Sequence, residues 1–486
     1  MLNRDCFGRC LRFVLLSLVV PLCFGQFSSS VQGIVQDPSG GNVVNAVVAL
    51  LNNATEVKQE TKTDISGNYR FVSLAPGSYT ITAQAPGFVK TDVSVTLQTS
   101  QNLNVPIALT LASTSTAVEV TGAPPVVDTA DSRNQETIET RELGALPLPG
   151  RNMINLVTFA PGVTGRGVAA FGSPGSAVDN FSTETQVDAS ANGRSSNGNM
   201  FIVDGLDVTS NIRPGVLNLV PNPDTVQETS IQVNTFTVDY GRASSLQMTM
   251  TTKSGSDQFH GLASDYFTYQ NFWSGTEFVH NYAPFHSNNI SAAIGGPIVP
   301  HHQFFFFFGI EPLRSLTSAG NNLITFESPQ FTSFAASAFP GTVGTKLLTT
   351  YAPTGATITG VSQTAAQLFP TTCGTASTAF LPCSLPVVDS GIFNASNYRN
   401  ALQWNTRIDK YWTNDRLYGN FFRTTLNTGG PSVRPAFATT DKFTTDSLQV
   451  NETHTFSPTT LNELAFGYLR VEGISPATGN FEVPVV

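Results

Sequence analysis

Between Leu402 and Asp409 the chain alternates without a break: Leu402, Trp404, Thr406 and Ile408 fall on one side of an extended backbone, and Gln403, Asn405, Arg407 and Asp409 on the other. Strand side chains point to opposite faces at period two, so one face is apolar and the other charged. In a membrane barrel the first set faces lipid and the second the lumen. The same chemistry is expected in strands over 258–272, 286–298, 303–311, 400–411, 415–424, 447–456 and 461–470, running alternately up and down. The connections 299–302, 412–414 and 457–460 are short, whereas 273–285, 312–399 and 426–442 are long. Short periplasmic turns and long outer loops are the rule for such barrels. From 226 to 298 the chain shows alternating strand chemistry, a Lys253-Ser254-Gly255 turn and aromatic strands, with no long apolar run. A β-barrel fits this better than a bundle of membrane helices.

Export is written at the other end. Arg4, Arg9 and Arg12 precede an apolar core over 13–24 and the small residue Gly25, the pattern of a signal peptide over 1–25. The formal net charge is −9 and falls further without those arginines, so nucleic acid is excluded as a partner. Charged residues make up only 12% of the chain, and Ser, Thr, Asn and Gln supply its polarity instead. Cys6, Cys10 and Cys23 leave with the leader. The remaining pair, Cys373 and Cys383, reads as one local disulfide in the longest loop, where it would restrain a mobile lid.

From residue 26 to 112 short β patterns are separated by turn chemistry: Val31, Gly33 and Val35 alternate before Asp37-Pro38-Ser39-Gly40-Gly41, and Asp64-Ile65-Ser66-Gly67-Asn68 and Pro76-Gly77-Ser78 each open another strand. Strands at this spacing make a small β-sandwich. The segment resembles the carboxypeptidase regulatory-like domain, a prealbumin-like accessory module. That resemblance implies a fold and no catalytic residues.

A second set of motifs follows: Leu146-Pro147-Leu148-Pro149-Gly150-Arg151-Asn152, Ala160-Pro161-Gly162-Val163, Asn192-Gly193-Arg194, Phe201-Ile202-Val203-Asp204-Gly205-Leu206-Asp207 and Val238-Asp239-Tyr240-Gly241-Arg242. Their order and spacing resemble the Oar-like class of TonB-dependent outer-membrane receptors, with Pro149-Gly150 standing where that class has Asn-Gly. The resemblance implies a mainly β chain: the sandwich, a linker over 113–127, an α+β plug over 128–255, and the first strands of a transmembrane barrel over 256–486. Seven strands are far short of the ~22 of a plugged transporter barrel. An open edge in lipid leaves unpaired backbone groups, so the chain is expected to be a fragment. In the linker, Thr116, Val118, Glu119, Val120 and Thr121 resemble the strand that pairs with the TonB-like periplasmic energising protein. Arg151, Arg194 and Arg242 are expected to hold plug to barrel through lumenal carboxylates.

The implied function is capture of a scarce, bulky ligand (glycan, peptide or metal chelate) and its passage across the outer membrane, with the sandwich in the periplasm and outer-membrane lipid around the barrel. An adhesion or carbohydrate-binding protein without transport is the competing reading. It leaves the lipid/lumen alternation unexplained. No enzyme, metal or cofactor is expected: Asp204 and Asp207 lack a nucleophile constellation, His301 and His302 sit in a short turn, and Gly193 to Gly198 lacks the Gly-Lys-Ser/Thr ending of a phosphate loop. In the run from Phe304 to Phe308, alternate rings are expected to face lipid and plug.

Overall fold

A computed structural model describes residues 29–112, 135–139, 142, 146, 148–172, 179–236, 241–272, 285–300, 302–318, 322–393, 396–457 and 460–476. The expected leader, the segment 116–121, Tyr240 and His301 lie outside these residues.

The first eight strands are β1 (Ser29–Gln36), β2 (Val47–Asn52), β3 (Lys58–Lys62), β4 (Asn68–Leu74), β5 (Gly77–Gln84), β6 (Thr91–Leu97), β7 (Asn102–Asn104) and β8 (Ile107–Ala108). They form two four-stranded sheets: β4-β1-β7 with β8 also on β1, and β3-β2-β5-β6. Inward positions at period two supply the core, among them Val31, Val48, Leu50, Phe71 and Ile81. The turns are closed by aspartates. Asp37 accepts from the Ser39 and Gly41 N–H groups, both at 2.8 Å, and Asp64 from those of Ser66 (2.8 Å) and Asn68 (2.9 Å).

A middle module follows, with β9 (Gln135–Glu139), β10 (Val163–Gly172), β11 (Thr185–Ala191), β12 (Met200–Val203), β13 (Leu206–Asp207), β14 (Val216–Leu217), β15 (Val226–Gln232) and β16 (Gln247–Thr252). One sheet runs β10-β11-β14 and the other β13-β12-β16-β15-β9. Against β10 and β11 packs a 3-10 segment, Met153–Phe159, whose first turn is capped by Asn152 Oδ1 accepting from Ile154 N at 3.0 Å. Met153, Ile154, Leu156 and Val157 are buried there with Phe201, Ile231 and Met248.

The last module is one seven-stranded antiparallel sheet, β17 (His260–Tyr269), β18 (Phe285–Val299), β19 (Phe304–Ser318), β23 (Ser396–Tyr411), β24 (Asp415–Gly430), β25 (Thr439–Ser457) and β26 (Thr460–Ile474), in chain order across the sheet. Among the described residues β17 and β26 each pair on one side only. Most strands run further than expected at the long-loop end, β25 beginning at Thr439 rather than 447. The added stretch, 439–446, carries Phe443 as its one apolar residue among Thr, Asp and Lys, so it lacks an apolar alternation while its backbone still pairs in register. No helix among the described residues is long and apolar enough to cross a membrane, which says nothing of strands.

The loop expected over 312–399 is instead a folded lobe. It holds β20 (Asn322–Glu327), α1 (Pro329–Ala338), α2 (Val343–Thr350), β21 (Ala356–Thr364), α3 (Ala365–Leu368) and β22 (Pro386–Phe393), with a sheet in the order β20-β22-β21. Local signals set the helices: Ser328 caps α1 (3.0 Å to Phe331 N) with Pro329 behind it, and Thr342 caps α2. The Cys373–Cys383 disulfide closes on a small core of Ala365, Leu381 and Val387.

Candidate functional site

The chemistry of this chain concentrates where the middle module meets the inner face of the seven-stranded sheet. Here the usual pattern of a soluble sheet is reversed. Gln403, Asn405, Arg407 and Asp409 are buried against the middle module, and so are Asn420, Thr424, Ser447, Gln449 and Asn451 on the next strands. The alternate positions face outward: Ile408, Leu448 and Val450 are 43%, 37% and 37% exposed. In the phenylalanine run, Phe305 and Phe307 are the buried pair.

At the centre is the Asp204-Gly205 hairpin. Val203 pairs with Leu206, which leaves a two-residue turn with φ of 47° and 87°. A type I′ turn needs both values positive, and Asp-Gly is a favoured pair for it. The turn drives the Asp204 carboxylate into the sheet, where it accepts from Thr252 N (2.9 Å), Thr252 Oγ1 (2.6 Å), Asn420 Nδ2 (2.6 Å) and Arg407 Nη1 (3.4 Å). The Asp204 carbonyl accepts from Tyr418 OH at 2.9 Å and from Gln449 Nε2. Arg407 also holds Asp409 through two bonds of 2.8 and 3.0 Å, and Arg416 approaches Asp409 at 3.7 Å. Two cations and two anions share one buried network. Such a network holds one geometry, but its contribution to stability is offset by desolvation of every member.

Two further ion pairs cross the seam. Arg151 reaches Asp224 (2.9 Å) and Glu311 of β19 (3.3 Å) and lies 3.5 Å from the centre of the Tyr266 ring. Glu311 is also held by Asn180 Nδ2 at 2.7 Å. Arg399 of β23 grips Asp179 through bonds of 2.6 and 2.9 Å. An apolar patch accompanies them, Phe181 packing with Leu313, Ala401, Leu426 and Phe443.

The other motif arginines do not reach the seven-stranded sheet. Arg242 turns back to Asp207 (2.8 Å) and Asn211 (3.0 Å) within the middle module, because its turn lies beside the β13 end of that module's sheet. Arg194 follows β11 in an exposed turn, where its charge stays in solvent. Sequence reasoning missed Glu311, Arg399, Asn420 and Tyr418. Arg407 was legible only as a lumenal residue, since nothing local indicates a partner 203 positions away.

The sandwich sits against the same assembly at the short-turn end of the sheet. The Thr99 N–H donates to Glu228 Oε1, Thr99 and Thr251 hydroxyls meet at 2.9 Å, Gln227 Nε2 donates to Pro76 O (3.1 Å), and Asp257 N to Ala54 O (3.1 Å). Burial pushes the Glu228 carboxyl up to about 7, against the opposing pull of the Thr99 hydrogen bonds. A cavity of about 310 Å³ remains at this junction, lined by Asn52, Pro76, Gln227, Lys253, His260 and Tyr411 among others. Burial lowers the Lys253 ammonium, which donates to Asp224 O at 2.8 Å.

Comparison with known proteins matches two parts of the chain to families: residues 251–484 to the outer membrane beta barrel domain, and 30–110 to the carboxypeptidase regulatory-like domain. In this way the chain is similar in two parts to known domain families and over much of its length to a curated relative. The relative behind that statement is the TonB-dependent transporter Oar of Myxococcus xanthus, 26% identical over 304 residues, which are 60% of this chain and 27% of that protein. The chain thus spans about a quarter of that relative's length. Among solved structures, catechol 1,2-dioxygenase from Pseudomonas arvilla C-1 is 12% identical over 18% of this chain and 53% of its own, with a TM-score of 0.15. A putative carbohydrate binding protein from Pseudomonas aeruginosa is 16% identical over 17% and 88%, with a TM-score of 0.14. Scores this low carry no argument.

Proposed function

We propose that the chain works as a TonB-dependent outer-membrane receptor whose middle module is a plug seated in the barrel lumen and moved by a periplasmic partner. The observation that carries this reading is the reversed alternation of β23, β24 and β25, with buried Gln403, Asn405, Arg407 and Asp409 inside and Ile408, Leu448 and Val450 outside. A plugged barrel in lipid requires that arrangement. A polar seam also suits movement, because water can replace the broken hydrogen bonds as the plug shifts. The sandwich packs at the short-turn end, which by the barrel rule is periplasmic. Thr116, Val118, Glu119, Val120 and Thr121 would supply the added strand for the TonB-like protein, with backbone hydrogen bonds giving most of the affinity. The ligand class is a glycan, peptide or metal chelate captured on the long-loop side.

The test has two parts. The expressed chain should sediment with outer membranes, and a peptide covering 113–127 should bind the periplasmic domain of a TonB protein in calorimetry. Val118→Pro or Val120→Pro should weaken that binding at least tenfold, since proline removes a ladder N–H. A chain found free in the periplasm, or a peptide that does not bind, overturns the reading.

A further inference from the structure

We propose that Asp415, Glu452 and His454 form a site for a zinc-class divalent cation on the outward face of β24 and β25. The register places Asp415 directly opposite His454, and Glu452 two residues along the same face as His454. His454 Nδ1 lies 2.7 Å from Asp415 Oδ1, and one ligand atom from each of the three residues lies within 4.8 Å of the others. All three point away from the middle module: their strand neighbours Thr453 and Asn451 are buried inward, as is Tyr418 on β24.

The surroundings make this cluster more than a solvated charge patch. Glu452 is paired with Leu417 on one side and Leu464 on the other, and Val450 follows on its own strand. Leu464 is 67% exposed on this same face, so two carboxylates sit at the margin of an apolar surface. Among the described residues no arginine or lysine pairs with either of them: Arg416 turns inward to Asp409, and Lys410 donates to His302 O and lies over the Phe304 and Trp412 rings. Two ionised carboxylates and a neutral imidazole carry two negative charges, which one divalent cation neutralises. One nitrogen and two oxygen donors suit zinc, which takes His and carboxylate ligands at about 2.0–2.1 Å and accepts water as a fourth ligand. Harder cations such as Mg²⁺ prefer an all-oxygen octahedron. Bound there, the ion would tie β24 to β25 beside the short turns, on the opposite face of the sheet from the Arg407–Asp409–Arg416 network.

The site rests on strand register and not on the transport reading, so each can fail alone. The untagged full chain, folded in detergent and stripped with EDTA, is titrated with zinc chloride by calorimetry and followed by thermal unfolding. One equivalent should bind with micromolar affinity and raise the unfolding temperature, and Mg²⁺ at tenfold excess should not compete. His454→Gln, Glu452→Gln and Asp415→Asn should each weaken binding at least tenfold, with β circular dichroism unchanged. Cobalt should give visible ligand-field bands that His454→Gln abolishes. Absence of zinc uptake by the folded chain overturns the proposal, as does equal uptake by all three variants. Stabilisation by phosphatidylethanolamine vesicles without zinc uptake also overturns it, by assigning the cluster to a headgroup ammonium.

Discussion

At the scale of single residues, Asp204 shows how little of a site the local sequence reveals. Asp-Gly between apolar residues is a legible turn signal, and the structure uses it as a two-residue hairpin. Where the carboxylate goes is not legible, because Asn420 and Arg407 come from strands more than 200 positions later. Arg407→Ala should be the most damaging single change at the seam. It leaves Asp204 and Asp409 buried with one cation fewer, and removing one partner of a buried pair costs about 3–5 kcal/mol. Chemical unfolding in detergent should show that loss. Exposed Arg194→Ala should shift the same transition by less than about 0.5 kcal/mol. Gly205→Ala tests the turn itself, since φ of 87° is unfavourable for any residue with a Cβ, and a cost of roughly 1 kcal/mol is expected.

At the scale of elements, strand chemistry was readable wherever burial imposed alternation and unreadable where it did not. The inner half of β23 announced itself through Leu402 to Asp409, but the outer half of β25 reads as polar loop because Phe443 is the one apolar residue among its Thr, Asp and Lys. The folded lobe between β19 and β23 escaped for a related reason: its core is only a few side chains, and its helices are short. Its disulfide should matter locally. Cys373→Ser with Cys383→Ser should cost the lobe roughly 2–3 kcal/mol, exposing 322–393 to protease while the seven-stranded sheet stays intact. The contact between sandwich and middle module carries a pH dependence. Glu228 faces Thr99 and Thr251, with Glu139 nearby adding a like charge, and its carboxyl is raised from 4.5 to about 7. A raised carboxyl keeps its proton in the docked state, so the contact is most stable below about 4.5 and weakens as pH rises through 7. The full effect is on the order of 3 kcal/mol at most. Hydrogen exchange at Thr99 should quicken between pH 5 and 8 beyond its intrinsic rate in the wild type, whereas Glu228→Gln should show no such excess.

At the scale of the whole molecule, the question is what solvent the outward face of the seven-stranded sheet was built for. Across three strands the central outward row is Phe421, Leu448 and Tyr468, in register. Trp404 packs on Phe421 with ring centres 5.1 Å apart. On the other side of the same strands lie Asn420, Phe422, Ser447 and Gln449, all buried. Hydropathy alone could not choose between lipid outside and a second protein layer, because either would cover the apolar row. The burial of the polar row against the middle module leaves the apolar row as the exterior. Leu448→Arg separates the two solvents by sign. In water, a surface leucine replaced by arginine is close to neutral, within about 0.5 kcal/mol, and improves solubility. In a bilayer, a lipid-facing arginine near the midplane costs about 2–4 kcal/mol. Reversible unfolding of the wild type and Leu448→Arg from lipid vesicles should therefore show a loss of that size. An equal change at Gln449, whose side chain turns inward, should act through the seam and not through the thickness of the bilayer. Repeating both measurements in vesicles of shorter acyl chains should shrink the Leu448→Arg penalty as the charge nears the headgroups, and leave the Gln449 effect unchanged. If the Leu448→Arg penalty is absent in every vesicle, the row belongs to a face that lipid never touches.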